Sequence, residues 1–318
     1  MTLPISISVY RPGTTLDEEL AGLGYAAMRG WPDQRPVTAA LVRSRLHPPG
    51  GAFPTIMVVA RSATGGLAGA AALRHPAAPG APARLWGPAI APEWQRQGLG
   101  TLLLKYAADS LPQGMLVLTA EIPATREHGC TFYTRAGWCP HSTAALLKAP
   151  IVRNLAAPGE DQMGVRLAGP GDAAALGRLY HAVHPVHGFA VAQDTYPRWS
   201  GDERFVADGL LVVDGDGSDL QAAALVYPLI HSAPGEPAEA LLADVLIHPG
   251  ADRAAVARPL IAAALAAGAR HDAEVARAIV PTSHTELLAD LRAAGLATVE
   301  EIRYYQAPLV PHTEGEFL

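Results

Sequence analysis

The sequence is poor in charge and in aromatic residues: 17% of its 318 residues are charged and 6% aromatic, against 49% hydrophobic. A chain this apolar has ample surface to bury and gives no compositional case for global disorder. Its formal charge of -6 lacks the basic excess of a broad nucleic-acid or anionic-membrane surface, which points to a small-molecule or protein partner. Cysteine is almost absent. Cys130 and Cys139 stand apart from any further ligand spacing and suit reduced thiols, not a disulfide framework or a zinc site. No hydrophobic run approaches the length of a membrane span, and Met1-Thr2-Leu3-Pro4 does not open a secretory leader, so a cytoplasmic location is expected.

What is present is enough chain for about two domains. In the first half, strand patterns at 5–10, 55–61, 67–73, 83–90, 115–122 and 142–147 alternate with helical ones at 15–28, 38–46, 98–110 and 126–136. Ser62 to Gly66 supplies turn residues for a hairpin, and Gly137 suits a left-handed helix cap. After a connection rich in Pro, Gly and polar residues over roughly 149–163, the order repeats. Strands at 164–167, 209–213, 221–227, 240–247 and 275–280 accompany a helix from Asp172 to about His184 and two later helices ending near Gly268 and at Gly295. An offset of 157 residues carries Pro92, Arg96 and Leu103 onto Pro249, Arg253 and Leu260, and one of 158 carries Pro123, Ala136 and Gly137 onto Pro281, Ala294 and Gly295. Such matches are the mark of a diverged internal duplication. The expected organisation is an α/β (α+β) chain of two domains, 1–150 and 164–318, joined by a linker at 151–163.

The most informative segment runs from Ile90 through Ala91-Pro92-Glu93-Trp94-Gln95-Arg96-Gln97-Gly98-Leu99-Gly100, between a strand and an amphipathic helix. Gly98 and Gly100 let a ligand approach the backbone, and unpaired amides at a helix start, with its positive dipole end, suit a pyrophosphate. Gln95, Arg96 and Gln97 can add polar contacts. A Walker loop is excluded by the missing Gly-Lys-Ser/Thr ending, and a dinucleotide fingerprint by the missing glycine three residues before Gly98.

Gln95, Gly98 and Gly100, followed by Phe132-Tyr133-Thr134-Arg135-Ala136-Gly137-Trp138, resemble the GNAT family of N-acetyltransferases over roughly Ile5 to Leu147. The resemblance implies two tandem GNAT-like domains, each a mixed, mostly antiparallel sheet flanked by helices. It implies acetyl-CoA or another acyl-CoA as co-substrate, held by Ala89, Ile90, Gln95, Arg96, Gln97, Gly98, Leu99, Gly100 and Thr101. It further implies direct attack of a small-molecule amine on the thioester in a ternary complex, with Tyr133 as the acid that protonates the departing sulfur. Glu121, ending a buried strand beside the cleft, is the candidate base. His128 and a water chain are alternatives, and Cys130 as a covalent nucleophile lacks a matched His-acid pair.

In the second half both loop glycines become alanines, Ala255 and Ala257, and the position of Tyr133 is Leu291. That half is expected to be degenerate, with a structural, dimerising or substrate-shaping role, in a monomer or homodimer. His181, His184 and His187 are interrupted by Pro185 and do not share a helical face, so no metal is expected. Asp214 to Asp219 is read as a hairpin turn, because the twelfth position of a calcium loop is Leu225. Acceptor recognition is assigned to the first-half helices and the loop Arg29 to Arg35, with His187, Phe189 and Tyr196 as covering residues. Competing readings are an enzyme resembling mycothiol synthase, whose working loop lies in its second half, and a non-catalytic acyl-CoA-binding or regulatory protein.

Overall fold

A computed structural model describes residues 4–10, 16–29, 37–39, 42–43, 55–74, 82–111, 115, 117–151, 164–185, 192–202, 204–229 and 237–308. Most of the helix expected over 38–46, most of the loop 29–35, His187 and Phe189 lie outside these residues. The chain divides into two compact units, Met1–Thr143 with Ile302–Leu318, and Ala144–Glu301.

In the first unit β1 (Ile5–Val9), β2 (Thr55–Ser62), β3 (Leu67–Arg74) and β4 (Ala83–Ile90) follow one another antiparallel. Period-two alternation divides β2 and β3 between two faces. Val58, Ala60, Ala71 and Leu73 pack with α2 (Leu99–Asp109) and α3 (Glu127–Arg135). Met57, Val59, Ala70 and Ala72 pack with α1 (Leu16–Ala27). Helix α1 is pinned by Asp17, only 2% exposed, which accepts from the Tyr10 hydroxyl and from Arg43 Nε and Nη2 at 2.9 and 2.7 Å.

Strand β5 (Val117–Pro123) pairs parallel with β4 only from Ala83↔Leu118 to Leu85↔Ala120. Beyond that the strands part. The parting coincides with a register shift on the β3 side, where Gly87 takes φ 90° before Pro88. The open edge of β5 is filled from the end of the chain: Ile302–Pro308, the tail of β12 (Ala297–Pro308), pairs antiparallel with all of β5.

The second unit repeats the order. Its elements are β7 (Val165–Leu167), α4 (Ala173–Val183), α5 (Thr195–Ser200), β8 (Leu210–Asp214), β9 (Leu220–Leu229), β10 (Glu239–Ile247), α6 (Arg253–Arg270), β11 (Val275–Pro281) and α7 (Thr285–Ala293). The open edge of β11 is filled by Ala144–Pro150, the tail of β6 (Cys139–Pro150). Asp214–Asp219 closes the β8–β9 hairpin, with Gly217 at φ 68° and Gly215 N–H donating to Asp219 O at 2.9 Å. As in the first unit, the parallel pairing of β10 with β11 stops early, at Leu242↔Ala278, and a bulge follows between Leu242 and Asp244.

The compact units are divided differently from the sequence division at 150: the first takes in Ile302–Leu318 from the end of the chain, and the second begins at Ala144 with the tail of β6. The strand at 297–308 and the short helix at 195–200 have no counterpart in the sequence reading, which ends its last element at Gly295.

Candidate active site

The loop after β4 opens with a single 3₁₀ turn, Pro92–Trp94, and then reverses through two left-handed residues, Arg96 at φ 61° and Gly98 at φ 84°. Gly98 is the N-cap of α2 and no side chain caps the helix. The first intrahelical bond runs from Leu102 N–H to Gly98 O at 3.1 Å, so the amides of Leu99, Gly100 and Thr101 have no acceptor within the helix. Leu99 is buried and fixes the helix on the sheet, while Thr101 faces solvent.

The two loop glycines answer to different demands. A Cβ on Gly98 meets nothing within 4 Å, so its requirement is the positive φ. A Cβ on Gly100 meets Phe132 at 3.1 Å, so small size there lets α2 and α3 close on one another. The exposed glutamines fold back on the loop's main chain: Gln95 Nε2 donates to Ile90 O at 3.1 Å and Gln97 Nε2 to Glu93 O at 2.8 Å. They brace the loop that presents the exposed Arg96.

Ala91 N–H donates to Ala68 O at 3.0 Å, and alternation along the antiparallel ladder then turns the Ile90 N–H away from β3, into the gap left by β5. The same alternation turns the Ala89 N–H toward β3. Of the two strand amides picked out from sequence, Ile90's is the one that faces the gap.

Tyr133 reaches this gap from α3. Its ring is 4% exposed, stacks on Tyr305 at 5.5 Å and tilts against Trp138 at 5.1 Å, and its hydroxyl donates to Gly87 O. Burial, followed by the charge of Glu121, raises its pKa well above the usual phenol value, so the group stays protonated. Glu121 lies on the other face of β5. Leu118, Ala120 and Ile122 join the core that holds Tyr133, whereas Glu121 pairs with Arg84 and faces Tyr304, its register partner on β12. Burial and the Glu121 carboxylate push Tyr304 up to about 12. Trp86, 40% exposed, extends this face beside α1, where its ring edge lies 3.3 Å from the Cβ position of Gly24. The acid and base candidates therefore stand on opposite faces of one sheet, at the strands that part.

His128 is exposed, and Cys130 is buried beside Tyr305. Arg84, Trp86, Tyr304 and Tyr305 lie at the candidate site and are not picked out by the sequence reading. The Tyr304-Tyr305 pair in a β-favouring stretch, one duplication offset beyond the 142–147 strand, was the available signal.

In the second unit the corresponding helix start is closed. Asp252 caps α6, its Oδ1 accepting from Ala255 N–H at 3.3 Å, and puts a carboxylate where a phosphate needs free amides. Arg253, at the position of Arg96, is held by Asp290 at 2.7 Å and Glu286 at 3.3 Å. Leu291, at the position of Tyr133, is fully buried. Among the described residues no group of three or more His, Cys, Asp or Glu is placed to hold a metal ion, and no helix is long and apolar enough to cross a membrane.

Residues 54–140 match the family described as the acetyltransferase (GNAT) domain. The particular form is the tandem GNAT fold. A GCN5-related N-acetyltransferase from Sphaerobacter thermophilus aligns at 16% identity and TM-score 0.73, covering 98% of both chains. A tandem GNAT protein from the clavulanic acid biosynthesis pathway aligns at 19% identity and TM-score 0.75, covering 96% of this chain and 99% of that one. The N-myristoyltransferase of Saccharomyces cerevisiae, solved with myristoyl-CoA, aligns at 12% and TM-score 0.61, over 96% and 83%. Among curated proteins, no sequence match is found.

Proposed function

We propose that the protein is an N-acetyltransferase that moves an acetyl group from acetyl-CoA to the amine of a small molecule, with the site in the first unit. The observation that carries this reading is the uncapped start of α2 at Gly98, beside the gap where β4 and β5 part and Tyr133 meets Gly87.

The pyrophosphate takes the amides of Leu99, Gly100 and Thr101, with Arg96 beside it, and the Ile90 N–H holds the pantetheine arm in the gap. The amine enters from the α1 face, where Arg84, Trp86, Glu121 and Tyr304 lie. Its nitrogen lone pair attacks the thioester carbonyl, forming the C–N bond, and the C–S bond then breaks as the oxyanion collapses. Glu121 receives the amine proton, and Tyr133 gives its proton to the leaving thiolate and regains one from solvent. A buried phenol of raised pKa suits that second role, since it arrives protonated.

The test is turnover against a panel of small primary amines, with thiol release as the readout. Acetylation of at least one amine, lost on Tyr133→Phe while acetyl-CoA still binds, supports the reading. Binding without turnover of any amine favours the non-catalytic acyl-CoA-binding alternative.

A further inference from the structure

The second unit holds an open cavity of about 310 Å³ between α7 and the start of β12. Helix α7 lines it with Thr285, Leu288 and Arg292, whose spacing of three and then four residues puts them on one helical face. Gly295 at φ 96° reverses the chain after α7, its N–H donating to Arg292 O at 2.9 Å, and this turn brings Thr298 and Glu301 of β12 to the same cavity. Ala145 of β6 completes the lining from below. Leu288 and Ala145 are buried, whereas Arg292, Thr298 and Glu301 are exposed, so the floor is apolar and the rim polar.

The cavity arises from shortened side chains at two register positions. Ala145 stands opposite Val280 and Leu147 opposite Ala278 on β11, as Arg303 stands opposite Ile122 and Tyr305 opposite Ala120 on β5, at the same offset of 158 residues. In the first unit the Tyr305 hydroxyl stands among Cys130, Thr134 and Arg303, under α3. In the second, Ala145 and Leu147 extend no polar group under α7, and Leu288 and Arg292 take the places of Cys130 and Thr134. The charges of α7 are unevenly used. Glu286 and Asp290 are taken by Arg253 at 3.3 and 2.7 Å, while Arg292 makes no ion pair among the described residues. Its Nη2 donates to Thr298 Oγ1 at 3.2 Å, which leaves most of its donors for the cavity.

We propose that this cavity binds a small hydroxylated carboxylate of single negative charge, its carboxylate on the Arg292 guanidinium and its hydroxyls among Thr285, Thr298 and Glu301. The planar guanidinium fork matches a carboxylate, and a ligand hydroxyl can donate to Glu301 while accepting from a threonine. A dianion suits the cavity less, because one cation is present and Glu301 shares the wall. Leu288 and Ala145 face the carbon chain. The volume stands at the small end of ligand sites, which calls for a short ligand. The site is independent of the transferase reading of the first unit.

The test is calorimetry on the full chain, without acetyl-CoA, using gluconate as the probe. Hexanoate, which lacks the hydroxyls, sorbitol, which lacks the carboxylate, and inorganic phosphate are the controls. Saturable gluconate binding is expected. It should weaken at least about tenfold for each control and in the Arg292→Gln and Thr285→Leu variants. Both substitutions fall on exposed side chains, which guards against a folding defect, and melting curves confirm that both variants are folded. Absence of gluconate binding, or binding unchanged in both folded variants, overturns the proposal. Hexanoate, sorbitol or phosphate binding as tightly as gluconate overturns the assigned class. Loss of gluconate binding in a folded Gly98→Glu, Gly100→Glu variant with Arg292 intact also overturns it, since the ligand would then sit in the first unit.

Discussion

The hydroxyl of Tyr133 donates to the main-chain carbonyl of Gly87, tying α3 to the irregular point of β4 where β5 departs. A buried phenol and a carbonyl outside the β3 and β5 ladder pairs satisfy each other there. Tyr133→Phe keeps the ring packing against Trp138 and Tyr305 but removes the donor. Turnover should fall about a hundredfold while acetyl-CoA affinity changes little. Stability should drop by about 1 kcal/mol. Steady-state kinetics beside a binding isotherm separates the two effects, and equal losses in both would contradict an acid role.

Tyr305 arrives from the chain's last described strand and completes the core around Tyr133 at 3% exposure. Tyr305→Ala should cost about 3 kcal/mol in denaturant unfolding. The loss should also appear in the first unit's activity, although position 305 is far along the sequence from the loop at 95–101.

That strand marks the limit of what the sequence disclosed. The helix start at Gly98, the β4 and β5 patterns and the Phe132-Tyr133 motif were legible because local signals carry them: glycine spacing, period two and period 3.6. The α2 helix lies within a residue of its expected range, and β4 spans the expected 83–90. Strand β12 was not read because its value is nonlocal. Glu300 is buried and Val299 exposed, which breaks the apolar alternation, and its partner β5 lies some 180 residues earlier. Glu121 lies on β5 as its strand pattern implies, but its pairing with Arg84 depends on the parallel register of β4 and β5, which no local pattern sets. Gln95 and Gln97 are legible as polar loop residues that could contact a cofactor; that their side chains donate to Ile90 O and Glu93 O is set by the loop's folded shape, which spacing does not give.

Asp17 is buried near the start of α1 and holds Tyr10 and Arg43. Asp17→Ala should destabilise the chain by about 2 kcal/mol, because two donors lose their acceptor. Asp17→Asn should cost less by keeping one acceptor oxygen. Thermal melts of the three proteins check the order.

Asp244 carries a distinct pH signature. Burial raises its pKa to about 6, partly offset by the Val245 N–H and by Arg198; Tyr180 and Tyr227 face it and remain neutral across this range. The folded state therefore binds this proton more tightly than the unfolded chain. The stabilisation is fully present below the unfolded value of 3.8 and is lost as pH rises through about 6. Asp244→Asn should remove that decline and leave the protein of order 2 kcal/mol more stable than the parent at pH 7. Urea unfolding at pH 5 and pH 7 checks the difference; a parent-variant gap that does not widen with pH would contradict it.

The central claim is that one acyl-CoA site exists, at the uncapped start of α2, and that the Asp252-capped start of α6 offers none. The direct measurement is calorimetric titration of acetyl-CoA into the parent and into a folded Gly98→Glu, Gly100→Glu variant, whose carboxylates occupy the pyrophosphate's place. One site is expected in the parent and none in the variant. Two sites in the parent, or a site surviving in the variant, would contradict it.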